Sequence, residues 1–299
     1  MKVFITGASG WIGSAATDEL LANGYQVVGL ARSDASAAGL AAKGAEVLRG
    51  DLDDLESIRA GAAAADATLH LANKHDWANP KNSDLAEYQA VKAIGETLIG
   101  SGRPFLFASG LMTAAQGRPA TEDDPSPFPP GPEHPRGGSE NLGLAFADRG
   151  VGAVSVRFPP TTHGIGDHGF IAYVAAAARE KGMSGYPGDG ATAWSAVHRT
   201  DAARLIRLAL EHAAPGTRVQ AIGEEAVTKL AIAQALGAAL DVPVVSVPEQ
   251  DVMAHFGFIG RFFGMEMRGT AARTRDLTGW QPLGPTLVED IRAGGYGRG

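Results

Sequence analysis

Val3-Phe4-Ile5-Thr6-Gly7-Ala8-Ser9-Gly10-Trp11-Ile12-Gly13 is the stretch on which the reading of this chain turns. A short apolar run leads into three spaced glycines. Ser14 to Asn23 behind them form an amphipathic pattern closed by Gly24. Strand, glycine turn and helix in that order make a cradle for a dinucleotide. Gly7 permits the tight turn, Gly10 lets a pyrophosphate reach bare backbone, and Gly13 lets the helix pack close to the strand. Ser9, Trp11 and Ile12 complete the turn, whose amides and helix dipole favour negative charge. Spaced glycines alone carry little weight in a chain with 40 of them; the flanking strand and helix supply it.

Outward from the turn, the second apolar run, Gln26-Val27-Val28-Gly29-Leu30, ends in Ala31-Arg32-Ser33. An acidic residue at such a strand end binds a ribose 2′-hydroxyl, whereas an arginine accommodates a 2′-phosphate. Arg32 offers a charged planar fork and Ser33 a hydroxyl, which favours NADP, while Asp34 keeps NAD possible. Asp51-Leu52, after the third run, are placed to line the adenine. Asp51 is also a candidate cap for the helix that follows.

Strands are expected at 2–6, 26–31, 45–49, 67–72, 104–109 and 153–158, with helices near 12–23, 52–64, 82–101 and 139–149. Apolar runs of this kind suit a parallel sheet covered on both faces, and right-handed crossovers then give a doubly wound sheet. The expected class is α/β: a Rossmann-type doubly wound parallel sheet with a smaller C-terminal lobe capping the substrate. Residues 1–158 with 198–223 are taken as the nucleotide-binding core, and 159–197 with 224–299 as the interleaved lobe. The alanine-rich stretches 35–45 and 60–67 read as surface helix. Residues 117–138 are too rich in proline and glycine for regular structure, and read as a functional loop at the sheet's carboxyl edge. Helices near 228–240 and 286–293 flank an apolar segment from Phe256 to Met265.

At 299 residues the chain can bury roughly 75% of its unfolded surface. It has no cysteine, which rules out disulfides, a thiolate nucleophile and a cysteine metal site. A net charge of −7 argues against a nucleic-acid surface, and no apolar run reaches membrane-spanning length. The first strand starts at residue 2 and leaves no room for a signal peptide, so a cytoplasmic location is expected. His163 and His168 do not share a helical face, and no metal is expected.

With the glycine turn, Arg32-Ser33, Gly50-Asp51-Leu52-Asp53-Asp54 and His70-Leu71-Ala72 in hand, the chain resembles the extended branch of the short-chain dehydrogenase/reductase superfamily. Val156-Arg157-Phe158-Pro159 through His163-Gly164, then Val197-His198-Arg199-Thr200-Asp201, then Leu277-Thr278-Gly279-Trp280-Gln281-Pro282 are similar to its later segments, in the same order. The resemblance implies NAD(P) binding, a homodimer, and cofactor contacts from Leu71, Ala72, Asn73, Lys74 and Pro159. Enzymes of that superfamily pair a serine or threonine after the fifth strand with a Tyr-x-x-x-Lys helix, whose lysine lowers the tyrosine's pKa. Here Arg136 stands at the tyrosine register, Glu140 at the lysine and Gly110 at the serine, as in an atypical subgroup.

Tyr88 and Lys92 have the right spacing but precede Ser109 in the chain, and read as a face turned to core or dimer partner. Ser109 and Thr113 are the candidate hydroxyls. Arg136 can stabilise a developing alkoxide but cannot donate a proton; with Glu140 at i,i+4 it can equally form a surface ion pair. His163 is a candidate general acid or a histidine held by backbone, and His198 reads as a spacer bonded to Asp201. Phe256, Phe258, Ile259, Phe262, Phe263, Met265 and Met267 suit an apolar carbonyl compound. Arg261, Arg268, Arg273 and Arg275 are available to clamp the second pyrophosphate of a sugar nucleotide.

Three functions follow, in order of preference. The first is an NADP-dependent oxidoreductase acting on a small, mainly apolar aldehyde or ketone, or the matching alcohol. The second is an NADP-binding sensor or scaffold without turnover, and the third a sugar-nucleotide epimerase or dehydratase.

Overall fold

The computed structural model describes residues 1–111 and 117–297. Val3, Phe4 and Ile5 have no exposed surface because β1 (Lys2–Thr6) lies inside a seven-stranded parallel sheet. The chain then runs α1 (Trp11–Ala22), β2 (Gln26–Ala31), α2 (Asp34–Ala42) and β3 (Glu46–Arg49). It continues through α3 (Leu55–Ala64), β4 (Ala67–His70), α4 (Pro80–Leu98), β5 (Pro104–Gly110), α5 (Ser139–Ala145) and β6 (Gly152–Phe158). With β10 (Arg218–Gln220), the order across the sheet is β10-β6-β5-β4-β1-β2-β3. Winding proceeds outward from β1 to β3, then restarts at β4 on β1's other side, and the crevice opens at that reversal.

Side-chain alternation along these strands feeds two cores. Val3, Ile5, Leu69 and Leu106 face one layer with Leu20 of α1 and Ile206 of α7 (Arg199–His212). Phe4, Phe105 and Phe107 face the other, with Ile58 of α3 and Ile94 of α4. The Rossmann-type sheet expected from the apolar runs is therefore present.

Several boundaries differ from expectation. The helix expected from residue 52 starts at Leu55, because Asp54 accepts from the Ser57 amide and caps it. Asp51 instead accepts from the amides of Asp53 and Asp54 within the preceding turn, so its expected capping role is corrected. The helix expected at 82–101 starts at Pro80, whose missing N–H suits a first turn, and ends at Leu98. The 139–149 helix stops at Ala145 and is followed by a separate tight turn, Ala147–Arg149.

A second body of structure is built from short strands that escape periodicity reading. β7 (Thr161–His163), β9 (Ala193–His198) and β11 (Glu224–Thr228) form one small sheet; β8 (Ser184–Pro187) pairs with β12 (Val244–Val247). Its core gathers Ile171 of α6 (Phe170–Lys181), Trp194, Leu236 of α8 (Lys229–Leu240), Phe256, Ile259 and Phe263. The apolar 256–265 segment breaks into single turns, so Phe258 and Met265 stay exposed while Phe263 is buried. Among the described residues, no helix is long and apolar enough to cross a membrane.

Candidate active site

The glycine turn is defined by close backbone approach. Gly7 has φ +74°, and a Cβ there would lie 2.7 Å from the Ala72 backbone, so the turn presses on the chain leaving β4. A Cβ on Gly13 would lie 2.0 Å from the Gly7 carbonyl oxygen. Gly13 thus gives clearance to the turn itself. Gly10 caps α1 without a side chain, and the first turn carries no acidic residue, which leaves its amides to an anion. Ser9 is exposed and Ile12 packs against the core. Trp11 is pinned: its indole N–H donates to the Thr162 carbonyl (2.7 Å), and the Arg199 guanidinium lies 4.0 Å from its ring centre.

At the outer end of the crevice, Arg32 and Ser33 are both exposed, and the Ser33 hydroxyl accepts from the Ser36 amide to cap α2. Arg49, which ends β3 in register with Ala31, ion-pairs Asp34 at 2.9 Å. The sequence reading missed Arg49, although a basic residue closing the neighbouring strand was a usable signal. Leu52 packs on the opposite core. Lys74 is drawn to both oxygens of Asp53 (2.7 and 2.9 Å) and to Asn82 (3.1 Å).

The carboxyl ends of β4 and β5 carry a buried polar network. The His70 imidazole meets the Thr6 hydroxyl at 2.7 Å through Nδ1, and its Nε2 lies 3.9 Å from Glu87. Burial holds His70 below the usual histidine pKa, with the Glu87 carboxylate opposing and Arg136 adding to the depression. Buried Glu87 of α4 accepts from Asn73 (3.0 Å) and from the Arg136 guanidinium (2.9 Å). Arg136 also reaches the Ala108 carbonyl at 3.2 Å.

Its backbone is left-handed (φ +52°), followed by Gly137 (+65°) and Gly138 (+57°). That conformation costs a non-glycine residue about 1–2 kcal/mol. A hydrogen bond from the Arg136 backbone N–H to the Asp84 carboxylate (2.6 Å) helps to hold it. Leu71 and Ala72 are half-buried beside the turn, and Pro159 is buried after β6.

Ser109 donates to Glu140 (3.0 Å), a buried carboxylate held by Arg157 (2.6 Å) and Arg218 (2.6 Å). Arg157, itself without exposed surface, is further fixed by the carbonyls of Thr121 and Asp124. The helical pairing expected of Arg136 with Glu140 is corrected, because Arg136 precedes α5 in a left-handed turn and each finds a different partner. A small crevice remains between Ala108, Ser109, Ser126, Pro135, Arg136 and Ser139. Thr113 lies outside the described residues.

The histidines lie elsewhere. His163, the candidate general acid, is fully enclosed. It ends β7 with no exposed surface, its Nδ1 at 2.6 Å from Asp290 and its Nε2 at 3.5 Å from Glu224. The expected His198–Asp201 bond is corrected too: His198 meets the Thr200 hydroxyl at 2.7 Å, while Asp201 accepts from the amides of Leu283 and Gly284 and from Arg204. Three of the four arginines considered for a pyrophosphate clamp do not converge: Arg268 goes to Glu266, Arg273 to Asp123 and Arg275 to the Ile222 carbonyl. Among the described residues, no cluster of three or more His, Asp or Glu is arranged for a metal.

Comparison with known proteins agrees with this fold. The model of the NAD dependent epimerase/dehydratase family matches residues 3–223. An uncharacterized protein of Saccharomyces cerevisiae is 42% identical over 98% of both chains, and one of Schizosaccharomyces pombe is 39% identical over 99% of this chain and 100% of its own. More distantly, a 2-alkyl-3-oxoalkanoate reductase of Stenotrophomonas maltophilia is 27% identical over 72% of this chain and 67% of its own. Among solved structures, a Streptomyces venezuelae dTDP-glucose 4,6-dehydratase with NAD bound superposes with TM-score 0.77 at 20% identity, covering 98% and 95%.

Proposed function

Because this chain belongs to the NAD dependent epimerase/dehydratase family, we propose that it is an NADP-dependent oxidoreductase that reduces a small, mainly apolar aldehyde or ketone. The observation that carries the reading is that Arg136 and Ser109 line one small crevice at the carboxyl end of β5. That crevice opens on the same sheet edge as the glycine turn. The relative named for reduction of 2-alkyl-3-oxoalkanoates supports a carbonyl substrate. The scattered arginines of the C-terminal segment weigh against a sugar nucleotide.

The cofactor, when bound, supplies the hydride. Uncapped amides at the start of α1 hold its pyrophosphate. Arg32, Ser33 and Arg49 form the basic edge for a 2′-phosphate, and Arg49's hold on Asp34 favours the phosphorylated coenzyme over NAD. Asp51, Leu52 and Lys74 bound the adenosine side; Leu71, Ala72, Asn73 and Pro159 bound the inner side. At the reacting carbon, Arg136 stabilises the oxygen as it gains negative charge, and Ser109 orients it. The alkoxide then takes its proton from water at the mouth of the crevice. His163, enclosed by Asp290 and Glu224, steadies the second sheet rather than donating that proton. Glu140 acts on Ser109 by position. We further place the protein in the cytoplasm as a homodimer.

The test is NADPH oxidation, followed by absorbance, with a panel of aliphatic and aryl aldehydes and ketones. Arg136→Ala is expected to lower kcat by about 100-fold, the size of losing one oxyanion donor. Firm NADPH binding with no oxidation by any compound would sink the proposal.

A further inference from the structure

The second core contains a buried lysine amine without a hydrogen-bond partner among the described residues. Lys229 opens α8 with no exposed surface, and its ammonium nitrogen has no hydrogen-bond partner among the described residues. It sits 4.1 Å from the centre of the Trp194 ring and 5.4 Å from that of Phe263. The nearest acidic group acting on it, Glu266, is already committed: one oxygen accepts from the Ala193 amide (2.6 Å) and the other pairs with Arg268. Two residues in contact with Lys229 also carry buried polar atoms without partners among the described residues, the Trp194 indole nitrogen and the Thr192 hydroxyl. The Thr192 carbonyl accepts from the Lys229 backbone amide at 2.9 Å. A buried donor without an acceptor destabilises the fold, and three such donors on residues that touch one another call for an acceptor.

A path of aromatic rings joins this cluster to the sheet's ligand edge. Trp77, 44% exposed, lies on the loop leaving β4 and packs on Phe170, Phe258 and Phe262 at 5.8 Å between ring centres. Phe170 in turn packs on Trp194 at 5.7 Å. The wall is apolar along its length and ends on the Lys229 amine. Burial pushes the Lys229 amine well below the ordinary lysine range, with Glu266 only partly opposing, so the free protein lacks what would hold the charge.

We propose that Lys229, with the Trp194 indole and the Thr192 hydroxyl, binds a carboxylate carried by the carbonyl substrate, whose apolar body lies along Trp77, Phe170 and Phe262. This rests on the oxidoreductase reading and narrows its substrate to an oxo acid with a hydrophobic body. Pairing with the carboxylate restores to the amine the partner it lacks, and the site selects acids over their neutral analogues.

The test is calorimetric binding to the protein saturated with NADP⁺, using 3-phenylpropanoate against 3-phenylpropanamide, two unreactive probes of the same shape. The acid is expected to bind at least tenfold tighter, and Lys229→Met to bring the ratio near one. Equal affinities in the native protein, or no binding of either probe, overturn the proposal without reliance on any variant. So does an acid preference that survives Lys229→Met. Turnover is scored separately, with NADPH and a matched oxo acid and ester. If NADPH is consumed but acid and amide bind alike, the lysine site is wrong and the reductase stands. If the acid preference holds and no carbonyl compound is reduced, the reductase reading fails and the site stands.

Discussion

Glutamine in place of Glu140 separates a structural charge from a catalytic one. The carboxylate is 4% exposed and sits between the guanidinium groups of Arg157 and Arg218, with Ser109 donating to its second oxygen. Glu140→Gln keeps the shape, but among the described residues it removes the one carboxylate paired with the fully buried Arg157, and it turns an N–H₂ group toward guanidinium donors. Removing one partner of a buried ion pair costs about 3–5 kcal/mol, because the other charge stays behind without water.

Unfolding entropy near 2.1 cal/mol/K per residue gives about 0.6 kcal/mol per degree for 299 residues, so Tm should fall by about 5–8 °C. Calorimetry and urea titration measure the loss directly. Replacing Glu140, Arg157 and Arg218 together by apolar residues of similar volume should recover much of it. A Glu140→Gln protein melting within a degree of the native one, yet with kcat abolished, would refute this account and return Glu140 to the chemistry.

Arg32→Ala should cost about 1.5–3 kcal/mol of charge-assisted bonding, raising the Kd for NADP about 10- to 150-fold. Fluorescence titration should show NAD nearly unaffected, and equal losses for both coenzymes would count against the 2′-phosphate role. Gly13→Ala places a methyl 2.0 Å from the Gly7 carbonyl, where only backbone can yield, and should cost about 1–3 kcal/mol together with weaker cofactor binding. His70 titrates with a definite sign. Its folded pKa lies below the unfolded value, so its contribution is intact above pH about 6.5 and is lost as pH falls through the folded pKa. The urea midpoint should therefore decline between pH 7 and 5, and the decline should flatten in His70→Gln.

The glycine turn and six of the parallel strands were legible because strands inside a covered sheet are rich in apolar residues and a close backbone crossing admits only glycine. β7 and β8 were not legible, since Thr161–His163 and Ser184–Pro187 contain no apolar run to mark a strand. Of the candidate site, Arg136 was found by register against a family pattern and Ser109 as the hydroxyl near the end of the fifth strand. Their true partners were not, because Glu87 lies 49 residues from Arg136 and Arg218 lies 78 from Glu140. Spacing along one helix suggested an Arg136–Glu140 pair; three consecutive left-handed residues before α5 broke it. Nothing in the local sequence of Lys229, at the head of an alanine-rich helix, signalled a buried cation.

Trp11 belongs to the phosphate turn, yet its N–H is hooked to Thr162 in the second sheet and its ring is covered by Arg199 at the head of α7. One indole therefore rivets the coenzyme loop to the strand that carries His163. Phenylalanine at position 11 would keep the ring under Arg199 but release the tie to Thr162, leaving the phosphate turn and the second sheet without that hydrogen bond.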